Sequence, residues 1–165
     1  MTPPTTTGKV VAIVTTSVAG APLRSVEQAT LESGRGLVGD RYYGHSGTFS
    51  EKLKDGADWE LTLIESEEIQ RFNESQGLSL PPASFRRNIV TSGIRLNDLA
   101  GRRFRIGSAV VEGIRLCEPC AHLGKLVDPA VVKGMVHRAG LRARIVTGSV
   151  VHIGDDVEAM RDPAP

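Results

Sequence analysis

The sequence predicts a mainly β protein with short helices, folded as one antiparallel β-barrel, and three observations carry that expectation. Short β-branched runs recur along the chain and most are bounded by glycine, the pattern of buried or half-buried strands. Glycine followed by serine twice separates such runs, at Gly107-Ser108 and Gly148-Ser149, and this residue order suits a type II′ hairpin turn. No strand–helix–strand alternation runs through the chain, so a doubly wound sheet is not expected.

Taken in order, residues 9–19 (KVVAIVTTSVA), between Gly8 and Gly20, read as a largely buried strand that opens the core. Residues 59–64 (WELTLI) alternate apolar and polar as a strand. Ser66 is then placed to cap a helix whose first turn carries Glu67 and Glu68, where the helix dipole favours negative charge. Ile69 and Phe72 give that helix an apolar face and Gly77 stops it. Residues 85–91 (FRRNIVT) read as a strand, and alternation sends Arg86 and Asn88 to one face and Arg87 to the other. Residues 103–106 with 109–116, and 144–147 with 150–153, form the two hairpins. Between them, residues 121–126 suit a short helix. Asp128 and Pro129 are an N-cap and first-turn pair for a second helix with Val131, Val132, Met135 and Val136, ending near Gly140. Residues 156–159 make a final strand. A single domain is expected over 8–160, with loose ends at 1–7 and 161–165.

Composition narrows the function. The chain has 165 residues and a formal charge of +1, and a chain of this size buries roughly 70% of its unfolded surface, so it needs no disulfide or metal to fold. Its two cysteines are free for chemistry. No run approaches the roughly 18 apolar residues of a membrane span, and residues 1–8 (MTPPTTTG) lack the parts of a signal peptide. A cytoplasmic protein with no membrane partner is expected. Four Phe, two Tyr and one Trp are too few for an obvious base-stacking platform, and with the near-neutral balance they argue against a nucleic-acid binder. The small net charge conceals an asymmetry: residues 1–85 carry −4, residues 86–144 carry +8 and residues 145–165 carry −3. Ten of the twelve cations in the middle segment are arginine, whose planar fork binds phosphate or carboxylate. An anionic ligand near this segment is one reading and a solvated arginine-rich surface the other.

Gly34-Arg-Gly36-Leu-Val-Gly39 matches GxGxxG, but the flanking residues QATLES and DRYYGHSG supply neither the apolar strand nor the helix of a dinucleotide site. The glycines read instead as loop geometry that presents Asp40, Arg41 and His45. Cys117-Glu-Pro-Cys120 is the sharper signal, between an apolar strand and a possible helix. It admits four readings: a zinc site with His122 and His137, a thioredoxin-like redox pair, two inert core thiols, or one reactive or metal-binding thiolate. For the last, Cys120 is the better candidate, because Pro119 fixes the backbone before it. Arg86 and Asn88, if inward, need a ligand phosphate, backbone carbonyls or the Asp40 carboxylate as partners. His137, Arg138 and Arg142 are a second possible anion cluster or a set of helix-end cations. His45 and His122 are candidate acid–base groups.

Read in order, Gly36-Leu-Val-Gly-Asp-Arg41, Thr62-Leu-Ile-Glu65, Arg87-Asn-Ile-Val90, Gly93, Leu99-Ala-Gly101, Phe104-Arg-Ile-Gly107, Pro119-Cys120, residues 140–146 and Gly154-Asp155 resemble the MOSC domain, the module at the C-terminus of molybdenum-cofactor sulfurases. The resemblance implies a MOSC-type β-barrel, binding of molybdenum cofactor (the molybdenum–pterin) or transfer of sulfur, and a functional catalytic cysteine that maps onto Cys120, with Cys120 as the metal ligand. By the same analogy Arg41, Arg86, Arg87, Asn88, Arg138 and Arg142 would hold the pterin phosphate; His45, from its residue type and loop position alone, is the catalytic acid–base candidate beside Cys120. The sequence shows no pyridoxal-phosphate-dependent desulfurase domain, and no strand-and-lysine context for a direct pyridoxal phosphate site. Any sulfur is therefore expected from a separate cysteine desulfurase, and any electrons from a redox partner. Three functions follow as expectations: a molybdenum-cofactor-dependent reductase of N-hydroxylated substrates, a sulfur carrier that takes persulfide sulfur on Cys120, or a non-catalytic cofactor-binding module.

Overall fold

The computed structural model describes residues 7–54, 56 and 58–161; apart from Thr7 and Arg161, the loose ends expected at the termini lie outside these. The first part of the chain forms β1 (Thr7–Thr15), β2 (Arg24–Val26), β3 (Gln28–Glu32), β4 (Gly36–Leu37) and the short helix α1 (Ser50–Leu53). Next come β5 (Leu61–Glu65), α2 (Ser66–Gln76), β6 (Ile89–Ser92), β7 (Arg103–Ile106) and β8 (Ala109–Leu116). The last part holds α3 (Ala121–Leu126), α4 (Val131–Gly134), β9 (Leu141–Thr147), β10 (Ser149–His152) and β11 (Asp156–Ala159).

Seven strands close into a barrel in the order β1, β11, β7, β8, β9, β5, β6 and back to β1, with β2 hydrogen-bonded to β1 at its side. Alternation explains the closure. Val10, Ile13, Leu61, Leu63, Ile89, Phe104, Ile106, Val111, Leu141, Ile145 and Val157 belong to one buried cluster drawn from all seven strands, which is the barrel interior. The intervening Ile64 and Val90 join a second cluster on the outer wall, with Ile69 and Phe72 of α2, Phe85, Leu123 of α3, and Val131 and Met135. Phe72 meets Phe85 edge-on at 5.9 Å.

Several local expectations give way to longer-range pairing. The Gly107-Ser108 hairpin forms, with Ile106 opposite Ala109 and Gly107 at φ +57°. The Gly148-Ser149 hairpin does not. Gly148 is not among the residues of positive φ, and β10 pairs with β3 instead of β9, Ser149 opposite Leu31. The chain passes through Gly148 from the barrel into a separate three-stranded sheet of β10, β3 and β4. Glycine is needed there for closeness, since a Cβ would lie 2.4 Å from the Leu31 carbonyl oxygen. The strands of that sheet within residues 28–37 were not anticipated, because QATLE is polar. One strand–helix–strand unit is also present: α2 carries the chain from β5 to β6, which pair in parallel with Leu63 opposite Ile89.

Smaller corrections follow the same logic. The first strand stops at Thr15, short of residue 19, and Glu65, one residue before Ser66, is the N-cap of α2. Residues 85–88 are not a strand: Pro82–Phe85 form a 3-10 turn and Arg86 takes a left-handed conformation, φ +62°, its N–H donated to Ala83 O. The helix expected from 128 to 140 shrinks to α4. Asp128 does serve its start, Oδ1 accepting the Ala130 N–H at 2.9 Å, but Val132 and Val136 are exposed while Val131 and Met135 are buried. No helix among the described residues is long and apolar enough to cross a membrane.

Glu60 ties the two sheets together. It is buried, and its Oε1 accepts both the Gly34 N–H and the Ile145 N–H at 3.1 Å. Burial raises its carboxyl pKa, and the two backbone donors and the Arg144 charge only partly oppose this. The folded state therefore holds the proton more tightly than the unfolded chain, and stability from this group falls as pH rises through the folded pKa. Glu60→Gln keeps Oε1 for both amides and removes the buried charge. It should raise Tm at pH 7 to 8 by about 2 to 4 °C, the shift that ~1 kcal/mol gives in a chain of this size. The gain should vanish at pH 4 and below, as followed by thermal unfolding across pH.

Candidate functional site

A row of polar side chains crosses the outer wall of the barrel. Arg115 on β8 is the register partner of Arg142 on β9, and Arg142 is that of Thr62 on β5. Leu61, Leu63, Leu141 and Ala143 belong to the barrel interior, so Thr62 and Arg142 between them face outward. Thr62 Oγ1 accepts the Asn88 N–H at 3.1 Å and donates to Asn88 Oδ1 at 3.3 Å. Asn88 Nδ2 in turn donates to Val14 O at 3.1 Å and to Asp40 Oδ1 at 3.2 Å. Asp40 also accepts from Thr15 Oγ1 at 2.8 Å, from the Tyr42 N–H at 3.2 Å and from Arg41 Nη1 at 3.1 Å. Asn88 and Asp40 are thus a buried foundation, and the question of what satisfies Asn88 is answered by protein groups.

On that foundation lies a cavity of about 260 Å³. Among the described residues six cations line it (Arg41, Lys52, Arg86, Arg87, Arg115 and Arg142), with Glu118 as the one carboxylate. Both cysteines and His122 reach the same wall. Cys117 is 1% exposed, at the end of β8, with its N–H donated to Gly140 O at 2.8 Å. Cys120 is half-buried and free, at the N-cap position of α3 in extended conformation. The Tyr42 ring stacks under the Arg41 guanidinium at 4.8 Å, and Phe49 meets the His122 ring edge-on at 5.7 Å.

The cations have different fates. Arg87 is buried and donates Nε to Ala139 O at 2.9 Å, Nη1 to Phe85 O at 3.3 Å, and Nη2 to Cys117 O at 3.1 Å and Glu118 O at 3.4 Å. Its fork is filled by backbone. Arg41 is paired with Asp40, and Arg115 Nε donates to Asp58 Oδ2 at 2.6 Å. Arg86 gives Nη1 to Ala21 O at 2.6 Å. Burial first, and then the like charge of Arg41, push the Arg86 guanidinium pKa down from its usual value. Arg142 Nη1 reaches Asp58 O at 3.4 Å, while its Nε is buried with no hydrogen-bond partner.

Of the candidates read from sequence, Cys120, Arg41, Arg86, Arg87 and Arg142 meet at this cavity, with Asn88 beneath it. His45 and Arg138 do not. His45, at φ +58°, packs its ring at a tilt on Trp59 at 5.0 Å and is not among the lining residues. Arg138 sits in a separate cleft with Glu65 and Arg95, its Nε 3.8 Å from Glu68 Oε2. His137 is held by Glu118, its N–H on Oε1 at 2.7 Å and its Nδ1 2.6 Å from Oε2. The zinc set of Cys117, Cys120, His122 and His137 is not assembled, and among the described residues no three His, Cys, Asp or Glu side chains gather as a metal site. Lys52 and Arg115 were missed. Arg115 carries a signal in hindsight, two residues before Cys117 at the end of an apolar strand; Lys52 carries none.

Residues 50–158 match the family model of the MOSC domain. The fold is similar to the YUAD protein from Bacillus subtilis, with TM-score 0.75, 17% identity, and coverage of 93% of this chain and 95% of that one. It is similar also to YiiM from Geobacillus stearothermophilus, with TM-score 0.72, 16% identity, and 93% and 75% coverage. For YiiM from Escherichia coli the values are 0.65, 20%, and 95% and 72%. At such identities the likeness is one of fold. No curated protein matches the sequence significantly.

Arg87 and Arg86 are expected to behave oppositely in stability. Arg87→Ala strands four carbonyl contacts, three of them buried, and should cost about 3 kcal/mol or more in urea unfolding. Arg86→Gln removes a desolvated cation beside Arg41 and should change stability by no more than about 1 kcal/mol.

Proposed function

Because the chain belongs to the MOSC domain family, we propose that it binds the molybdenum cofactor, with Cys120 as the protein ligand to the metal and Arg86 and Arg142 receiving the phosphate. One observation carries this reading: the half-buried Cys120 opens on a cavity that, among the described residues, is lined by six cations and one carboxylate. The donor set suits such a group. A thiolate is a soft ligand of the kind that transition metals take. The Arg142 Nε has no partner until an anion arrives, and the Arg86 charge, disfavoured by burial and by Arg41, is relieved by one. Lys52, on α1, forms no ion pair among the described residues and adds a further positive charge at the mouth.

When bound, the cofactor supplies two-electron chemistry that no side chain here can perform. The reaction we assign is reduction of an N-hydroxylated compound to the amine and water, which consumes two protons and two electrons, the electrons coming from a separate redox partner. The chain's own groups bind and orient. Arg87 fixes the backbone on which Cys120 stands, through Cys117 O and Glu118 O. Phe49, the N-cap of α1, and Leu53 within that helix line the mouth and limit water. His122 is the imidazole among the lining residues, and we assign it the holding and passing of a proton; His45, beside Trp59, is not one of those residues. A second reading is favoured by the accessibility of Cys120: a separate cysteine desulfurase loads sulfur onto this thiol and the protein carries it onward.

The test is molybdenum and pterin analysis of protein made in a host that supplies the cofactor, beside Cys120→Ala and Arg142→Gln. Near-stoichiometric molybdenum is expected in the parent, lost in Cys120→Ala, with pterin reduced at least tenfold in Arg142→Gln, the effect of about 1.4 kcal/mol. Absence of metal from all three, with one added sulfur atom on Cys120 after incubation with a desulfurase and cysteine, would replace this reading with the sulfur carrier.

A further inference from the structure

Arg115 and Arg142 lie directly opposite each other on neighbouring antiparallel strands. Like charges in that position destabilise a sheet unless a counter-charge is supplied. Asp58 supplies it. Its Oδ2 accepts from Arg115 Nε at 2.6 Å and its backbone carbonyl accepts from Arg142 Nη1 at 3.4 Å. The match is incomplete, because the buried Nε of Arg142 is left without an acceptor. One carboxylate oxygen on one guanidinium, beside an unfilled donor on the next, is a partial substitute for a tetrahedral dianion that could serve both.

Asp58 also lies just beyond a covering segment, residues 41–54. Phe49, Lys52 and Leu53, within it, line the cavity, and Phe49 packs on His122, two residues past Cys120. The start of the segment is held more firmly than its end, and Tyr43, close to the start, also donates its hydroxyl to Glu32 Oε2 at 2.6 Å. At its start, Asp40 is 2% exposed at the side chain, is paired with Arg41, and is held by Asn88 and Thr15. Just beyond its end, the Asp58 side chain is 13% exposed but its partner Arg115 is 54% exposed, and a pair open to solvent on one side is more readily exchanged than the buried pair at Asp40.

We propose that Asp58 is a built-in competitor for the anion site, so that a phosphate-bearing ligand displaces its carboxylate from Arg115 and frees the covering segment to move. The proposal rests on the anion-binding reading of the cavity given above and adds a regulation to it. Ligand affinity is lowered by the competition with Asp58. In return, access to His122 and Cys120 is coupled to occupancy of the anion site: the segment pivots at Asp40 and Arg41 and releases at Asp58, carrying Phe49 away from His122.

The molecule contains its own reporter. Trp59, the chain's single tryptophan, follows Asp58 directly, donates Nε1 to Gly56 O at 2.8 Å and meets the His45 ring at a tilt. The experiment titrates the metal-free full chain with inorganic phosphate, following heat for binding and Trp59 fluorescence for displacement. The parent should give a saturable fluorescence change with the same midpoint as the heat. Asp58→Asn should bind phosphate roughly three- to fivefold more tightly and begin near the phosphate-bound fluorescence. Arg115→Ala, which frees Asp58 without changing its charge, should show that fluorescence before phosphate is added. Simple loss of a negative charge would alter affinity in Asp58→Asn but not the starting fluorescence of Arg115→Ala. Phosphate binding that is lost in Arg142→Gln, yet leaves Trp59 unmoved and is equal in parent and Asp58→Asn, would overturn the competitor while leaving the anion site intact. No phosphate binding by parent or Asp58→Asn would overturn the anion site itself, and the competitor with it.

Discussion

The Arg87 guanidinium, enclosed by backbone carbonyls, is the constraint on which the site depends. A buried cation is costly unless its donors are met, and here they are met by Phe85 O, Ala139 O, Cys117 O and Glu118 O. These carbonyls belong to three stretches of chain far apart in sequence. One side chain therefore fixes the turn before β6, the turn before β9 and the segment joining β8 to α3 relative to one another. Gly140 makes the arrangement possible. It adopts φ +109°, and a Cβ there would lie 1.8 Å from Leu63 O, so only glycine lets the turn approach β5 closely enough for Ala139 O to reach Arg87 and Gly140 O to receive Cys117 N–H. The position of Cys120 is the result, with the Glu118 carboxylate bound to His137 as a second fastening on the same segment.

With Arg87 filled by carbonyls and Arg41 by Asp40, positive charge in the cavity divides into a structural part and a surplus. The surplus is what gives the cavity its chemistry. Arg86 shows the cost: it holds a left-handed backbone conformation and a guanidinium disfavoured by burial and by Arg41. Strain and uncompensated charge of this kind persist where the surrounding structure over-determines them, and they gather at functional sites. The Arg86 donor on Ala21 O and the paired Asn88–Asp40 foundation are what over-determine them here.

Sequence reasoning succeeded where the signal was local. The Gly107-Ser108 turn, the strands 103–106, 109–116 and 156–159, and the helix 121–126 were all legible, because each is specified by its own residues and immediate neighbours. So was the Pro119-Cys120 junction between strand and helix. It failed where a partner distant in sequence decides. Gly148-Ser149 has the residues of a turn, yet β3 captures β10, and β3 itself is a polar run that becomes a strand only by pairing. The excess of arginine in residues 86–144 was visible as composition, but which guanidinium is structural and which is spare depends on carbonyls contributed by other segments. His45 illustrates the same limit: an imidazole in a glycine-rich loop looked available for chemistry, and the fold turns it onto Trp59.

The two cores explain why the cavity lies on the barrel wall and not inside it. The interior is filled by alternating apolar side chains from all seven strands, so a ligand has no room there. The outward residues here are divided: Ile64 of β5 and Val90 of β6 join the second core with α2, whereas Thr62 of β5 and Asn88, just before β6, are polar and stand outside that core. The parallel pairing of β5 with β6 is what sets these two kinds of residue side by side, and it requires the α2 crossover that supplies Ile69 and Phe72 to the second core. Leu123 of α3 is buried in that core while Cys120, at the start of the same helix, reaches the cavity. The thiol is therefore held at the margin of an apolar core, with the arginine row of β8 and β9 on its other side. An apolar anchor on one flank and unpaired donors on the other allow a small barrel to present a cysteine and a bank of positive charge within one cavity.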